Sequence, residues 1–258
     1  MMNHSFVVRT ISTIVFLLII SAPAQSAEAP LRFSFKGYSA GLLAARADGS
    51  LDTRNGRFLL SLQAGDAGIS SILSWASRVD ATGVLVPQGV APQRFDLQNR
   101  RKNKNSSRSI NYSNRMANVS FSPEANIPAH EVISPSQTLN SVDPVAAFMA
   151  ILNTAEQTGS CNLSLNVFEG KSLYQINVRN AGSEYISERN LSYQGQALRC
   201  RMQLVPLAGK ATRPKNRSRL TDIDMWLAKP VSNGPMIPIK MSTSVKGIPV
   251  SLLVSSAN

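Results

Sequence analysis

The residue types that carry acid–base, nucleophilic or metal chemistry are scarce in this chain. Histidine occurs twice, at His4 and His130. His130 lies in the proline-rich stretch "SPEANIPAHEVISPS". A zinc site needs several His, Cys or carboxylate ligands at matched spacing, and no such spacing surrounds it. A Ser-His-Asp or Cys-His site would have to use His130, and no G-x-S-x-G precedes a helical stretch. His130 therefore reads as a loop side chain. Asp222 and Asp224, two residues apart on a strand, would share a face and resemble a glycosidase carboxylate pair. With Arg217 and Arg219 nearby in sequence, they read instead as a solvated, charge-balanced face. The stretch "AGDAG" (Ala64 to Gly68) lacks the lysine and the strand–loop–helix setting of a phosphate loop. Trp75 and Trp226 read as core anchors. No catalytic residue, metal or cofactor is expected, and the chain is not expected to be an enzyme.

Charge is the next chemistry available. The chain holds 27 lysines and arginines against 15 acids, a net charge of +12. Ten of the cations sit in two runs. "NRRKNKNSSR" carries Arg100, Arg101, Lys102, Lys104 and Arg108; "KATRPKNRSR" carries Lys210, Arg213, Lys215, Arg217 and Arg219. Neither run contains an aromatic, which a single-stranded nucleic acid would want for stacking. Each run lies between strand-like segments and reads as a hairpin tip or exposed edge. Solvated loops of this kind also block unwanted strand pairing.

The amino terminus argues against nucleic acid more strongly. Arg9 precedes an apolar stretch from Ile11 to Ile20, and Ala22-Pro23-Ala24 fits an A-x-A cleavage site. This is the layout of a secretory signal peptide, residues 1–24; the alternative is an uncleaved anchor. The apolar core is shorter than the roughly 20 residues of a membrane span, and no later run reaches that length. Residues 25–258 are thus expected to form one mainly-β domain, exported to the periplasm without a transmembrane segment. There a basic protein meets anionic lipid, lipopolysaccharide or envelope proteins, and peripheral membrane contact through the ten cations is expected.

Cys161 and Cys200 are the only cysteines. In an oxidising compartment an even pair favours a disulfide; two buried thiols are the alternative.

The elements that must position these groups show period two rather than 3.6. Phe33 and Phe35, then Phe58, Leu60 and Leu62, then Ile110 with Tyr112, alternate with polar residues. Leu198, Cys200, Met202 and Leu204 share one face, opposite Arg199, Arg201 and Gln203. In "CNLSLNVFEGKSLYQINV", a two-residue Glu169-Gly170 turn predicts Leu165 opposite Tyr174 and Leu163 opposite Ile176. Two stretches break the pattern. "SVDPVAAFMAILNTAEQTG" predicts a helix with Asp143 as N-cap, Pro144 at the first position and Gly159 near its end. Its apolar stripe is Val145, Phe148, Met149 and Leu152. "GISSILSW" predicts a second, brief helix through Ile69, Ile72 and Leu73. The expected fold is one curled antiparallel sheet of about ten strands, a half-barrel with one or two short helices on its concave side.

The ordered stretches "FKGYSAGLLAARADGSLD", "VFEGKSLYQINV", "LRCRMQLVPLAGK" and "DMWLAKPVSNGPMIPIKMSTSVKGIPVSLL" resemble an uncharacterised bacterial family, domain of unknown function 3108. The resemblance spans roughly Phe33 to Leu253. It implies a periplasmic protein of proteobacteria, similar in architecture to half-barrel carriers of lipoproteins and lipids. It carries no catalytic residue. Glu169 stands where members more often have Asp. The leading expectation is a non-enzymatic envelope protein binding a lipid, lipoprotein or other envelope component on a concave apolar face. The second is a structural or stress-related interaction protein whose core is filled by its own side chains. An envelope hydrolase is third.

Overall fold

Residues 29–68, 74–87, 89–213 and 222–258 are described by a computed structural model of the chain. The signal peptide expected over 1–24 and the brief helix expected over 69–73 lie outside them. Seven strands open the described fold: β1 (Leu31–Ser39), β2 (Leu42–Asp52), β3 (Arg57–Asp66), β4 (Trp75–Val86), β5 (Gly89–Arg101), β6 (Lys104–Ser113) and β7 (Met116–Ser122). After α1 (Pro144–Thr158) come β8 (Leu163–Phe168), β9 (Ser172–Ser187), β10 (Gln194–Gly209), β11 (Ile223–Ala228), β12 (Ile237–Val245) and β13 (Ile248–Ala257). All thirteen join one antiparallel sheet in the order β7-β6-β5-β4-β3-β2-β1-β13-β12-β11-β10-β9-β8. The first and last strands meet mid-sheet, where β1 pairs with β13, and the sheet curls into a nearly closed barrel.

Alternation places Phe33, Phe35, Leu51, Phe58, Leu60, Phe95 and Ile110 in the core. Removing such side chains from water is the main stabilising term, about 25 cal/mol per Å² of apolar surface. The barrel's seam lies between the edge strands β7 and β8, and a short strap covers both. Asn140 N–H donates to Arg115 O (2.9 Å), and Ala117 N–H donates to the Thr138 hydroxyl (3.1 Å). On the other side Val142 N–H donates to Asn166 O and receives Phe168 N–H on its carbonyl, at 2.9 and 2.8 Å. Residues 138–142 thus occupy backbone groups that an open edge would offer to another chain.

The helix forms where its signals stand. The Asp143 carboxylate accepts from Ala146 N–H at 2.8 Å, Pro144 follows, and Gly159 ends the helix in the left-handed region at φ 67°. The expected single stripe is too narrow. Ala146, Ala147, Met149, Ala150, Ile151, Leu152 and Ala155 are all buried, and no residue from Val145 to Ala155 is exposed. The alanines let strands approach the helix on several sides, so α1 fills the space enclosed by the sheet rather than lying on it. Asn153 Nδ2 ties it to the β4–β5 turn, donating to Val86 O (2.9 Å) and Gly89 O (3.0 Å).

The β8–β9 hairpin is offset by two residues from the expected register. Leu165 faces Ile176, and Leu163 faces Val178. Lys171 and Ser172 enter the turn, which closes by Glu169 N–H to Ser172 O, while Lys171 O accepts from Lys210 N–H. A slip of two preserves every face, so hydropathy alone does not distinguish the two pairings.

Candidate functional site

In an antiparallel sheet successive turns alternate between two ends. The β1–β2, β5–β6, β8–β9 and β12–β13 turns and the end of β10 therefore emerge on one rim. This parity brings the first basic run and the start of the second, at Lys210, to the same end of the barrel. Arg101 pairs with Lys104 across a two-residue turn. Lys102 sits there at φ 52°, its N–H donating to Ser74 O at 2.8 Å. Arg100, Arg101, Lys102 and Lys104 are all exposed, as is Lys210 at the end of β10. Lys215, Arg217 and Arg219 lie outside the described residues. The β1–β2 and β12–β13 turns add apolar tips to the rim: Leu42 is 54% exposed and Ile248 49%, with Val245 beside it.

Two cations of the expected set are committed elsewhere. Arg108 points into the barrel, its side chain 14% exposed, and pairs with Glu169. Its guanidinium stands 5.8 Å from the Phe95 ring centroid. Because the β8–β9 turn folds onto β6 and β7, this pair latches the seam instead of facing solvent. Arg213 binds Glu131 through two nitrogens, one at 2.6 Å. The hydrogen bond from Arg213 holds the Glu131 carboxyl below the usual range, against the opposing effect of burial.

The remaining chemistry expected from sequence falls into structural roles. Cys161 and Cys200 are joined in a disulfide with a Cα–Cα distance of 6.2 Å. Both are fully buried, and the bridge links the residues before β8 to β10 across β9. His130 is exposed in a short 3₁₀ turn, 3.7 Å from Glu131. Asp224 pairs with Arg201 (3.1 Å) and Arg199 (3.5 Å), both supplied by the neighbouring strand β10; Arg217 and Arg219 lie outside the described residues. Trp226 is buried although it faces outward. Arg199 and Lys240 stand over its ring at 5.2 and 4.6 Å, and its indole N–H donates to Glu184 at 2.8 Å. Trp75 is half-buried at the start of β4. Among the described residues no group of three or more His, Cys, Asp or Glu is placed to hold a metal.

One feature escaped the sequence reading: a polar groove of about 910 Å³ on the outer wall below the rim, crossing β2 to the end of β7. Its floor is read from the register. Arg46, Gly65, Ala76, Arg100 and Asn105 are successive cross-strand neighbours, and Asp48, Gln63, Arg78, Gln98 and Ser107 form the next row. The signal was a repeated R-x-D, at 46–48, 78–80 and 94–96, which at period two puts both charges on one face. Arg78 and Arg94 bind their own aspartates at 2.7 and 2.5 Å. These hydrogen bonds hold the Asp80 and Asp96 carboxyls below the usual range.

The model for a protein of unknown function, DUF3108, matches residues 32–250. The chain belongs to this family. A solved β-barrel-like protein of domain of unknown function DUF1849, from Brucella abortus, has a TM-score of 0.54 at 10% identity. The match covers 89% of this chain and 97% of that one. At this identity the likeness concerns the fold, and it agrees with the curled sheet described above. A candidate lipoprotein from Parabacteroides distasonis matches with a TM-score of 0.41 at 11% identity, covering 90% and 96% of the two chains. No curated protein matches. Among the described residues no helix is long and apolar enough to cross a membrane.

Proposed function

We propose that this DUF3108 protein is an exported, non-enzymatic component of the cell envelope that works through its outer surface. Its rim contacts anionic headgroups of phospholipid or lipopolysaccharide. The observation that carries this reading is the position of α1. The concavity in which a carrier would hold a lipid is occupied by the helix, whose residues 145–155 include no exposed position. Of the readings drawn from sequence, an interaction protein with a filled core accords with this packing better than a carrier with an open apolar face. The rim supports the contact. Cations at the β5–β6 tip stand at the same end as exposed Leu42, Val245 and Ile248. Basic residues beside apolar tips are what a peripheral membrane surface uses. The buried disulfide supports an oxidising compartment.

Each cation near an anionic surface contributes about 1 kcal/mol, screened beyond roughly 8 Å at physiological salt. Reversing Arg101, Lys102 and Lys104 to Glu should then weaken sedimentation with phosphatidylglycerol vesicles by about a hundredfold or more at low salt. Binding that ignores both salt and this reversal overturns the proposal.

A further inference from the structure

The rim accounts for the exposed hairpin tip but not for the groove beneath it. We infer that the groove across β2–β6 binds a phosphorylated saccharide. The inference rests on the envelope reading above and deepens it by naming what the outer wall recognises.

Of the three R-x-D pairs on this wall, only the one in the upper part of β2 is split. Asp48 accepts from Ser34 Oγ at 2.5 Å, and the Arg46 side chain has no hydrogen-bond or ion-pair partner among the described residues. The Arg100 side chain, three strands away in the same cross-strand row, also has none among them. Between them the row holds Gly65 and Ala76, the smallest side chains available. The backbones that carry these two unpaired guanidiniums stand roughly 14 Å apart, three strand spacings, and between them their row holds nothing taller than a methyl. Unpaired guanidinium is well suited to phosphate, which it meets with two parallel hydrogen bonds.

A bare anion does not explain the rest of the lining. Gln63, Gln98 and Asn105 have no side-chain hydrogen bonds among the described residues. They both donate and accept, as sugar hydroxyls require. The Asp48 and Asp66 carboxylates also face the groove. They would repel a ligand that was charged throughout but would accept from hydroxyl groups. The lining thus suits an extended polyhydroxylated molecule with an anionic group toward each end. At about 910 Å³ the groove falls within the range of small-molecule sites.

The test is isothermal titration of the disulfide-bonded mature chain with the phosphorylated core oligosaccharide from deacylated lipopolysaccharide. The same sugar after dephosphorylation, and inorganic phosphate alone, are the comparison ligands. Binding should weaken with salt, fall at least tenfold on dephosphorylation, and resist competition by inorganic phosphate. Arg46→Gln and Arg100→Gln, both at exposed positions, should each lower affinity about tenfold. Ala76→Glu should abolish binding, with circular dichroism reporting an intact fold. Arg189→Gln, an exposed cation in the β9–β10 turn at the opposite end of the barrel, should change affinity less than twofold. Equal losses there and in the groove overturn the inference and leave diffuse attraction to a basic surface. Binding of inorganic phosphate as tight as that of the oligosaccharide overturns the saccharide assignment. No oligosaccharide binding, with vesicle binding retained, overturns the groove while the rim reading stands; loss of both overturns both.

Discussion

Asp143 offers a quantitative test of how the helix is seated. Its carboxyl is fully buried. One oxygen accepts from Ala146 N–H, while Oδ2 and the nearby Tyr112 hydroxyl lack full hydrogen-bond geometry. Burial pushes the Asp143 carboxyl up to about 6 from the ordinary 3.8, outweighing the backbone N–H groups that favour its charge. A folded-state value above the unfolded one means that ionisation favours the unfolded chain. The stability tied to this group is fully present below about pH 4, is lost as pH rises toward 6, and stays lost above it. A difference of about two pH units corresponds to about 3 kcal/mol. Asp143→Asn keeps the cap oxygen for Ala146 N–H and sets an amide, which can donate, against the Tyr112 hydroxyl. The variant should match the wild type at pH 4 and exceed it by about 1–3 kcal/mol at pH 7.5, read from urea midpoints at each pH. Asp80, Asp96 and Glu131 are lowered by arginine. They act in the opposite sense, present above the ordinary carboxylate range and lost in acid, and they cancel in the comparison. A gap independent of pH, or an Asn variant weaker at pH 7.5, would refute the assignment of a charged, uncompensated cap.

Other consequences follow from the same contacts. Denatured without reductant, the protein should titrate no free thiol. Cys200→Ser should cost about 4 kcal/mol in the chain-entropy account of a closed loop of this length, seen as a lower urea midpoint. Glu169→Gln leaves the inward Arg108 without its counter-charge at the seam and should destabilise by about 2 kcal/mol. Asp52→Asn, at the exposed pair with Arg54, should change stability by less than about 1 kcal/mol in the same assay. Thr138→Val removes the acceptor of Ala117 N–H and should cost about 1–2 kcal/mol, with faster hydrogen exchange at Ala117 than in β3. Cell fractionation should find a chain beginning near Gln25 outside the cytoplasm; an intact chain in the inner membrane would count against export.

The sequence by itself determined what depends on near neighbours. Asp143, Pro144 and Gly159 mark both ends of α1 because caps act within one turn. Period-two alternation in β1, β3 and β6 declares sheet because each side chain's face follows from its parity. The cysteines' burial was legible in the same way, on strands already read as apolar. What required distant partners was not legible. The β8–β9 register turned on Lys171 O meeting Lys210 N–H and on Gly170 meeting Arg108, contacts between residues far apart in sequence. The inward turn of Arg108 followed from that fold-over, and a run of cations gives no sign of which one will find a carboxylate. The all-round burial of α1 depended on the sheet curling until it enclosed the helix, and curl is a property of thirteen paired strands. The groove is the clearest instance. Arg46 and Arg100 are separated by more than fifty residues, and only the pairing of β2 through β5 places them in one row with two small residues between them. Local chemistry is written residue by residue, but a surface that crosses strands exists only once their register is set.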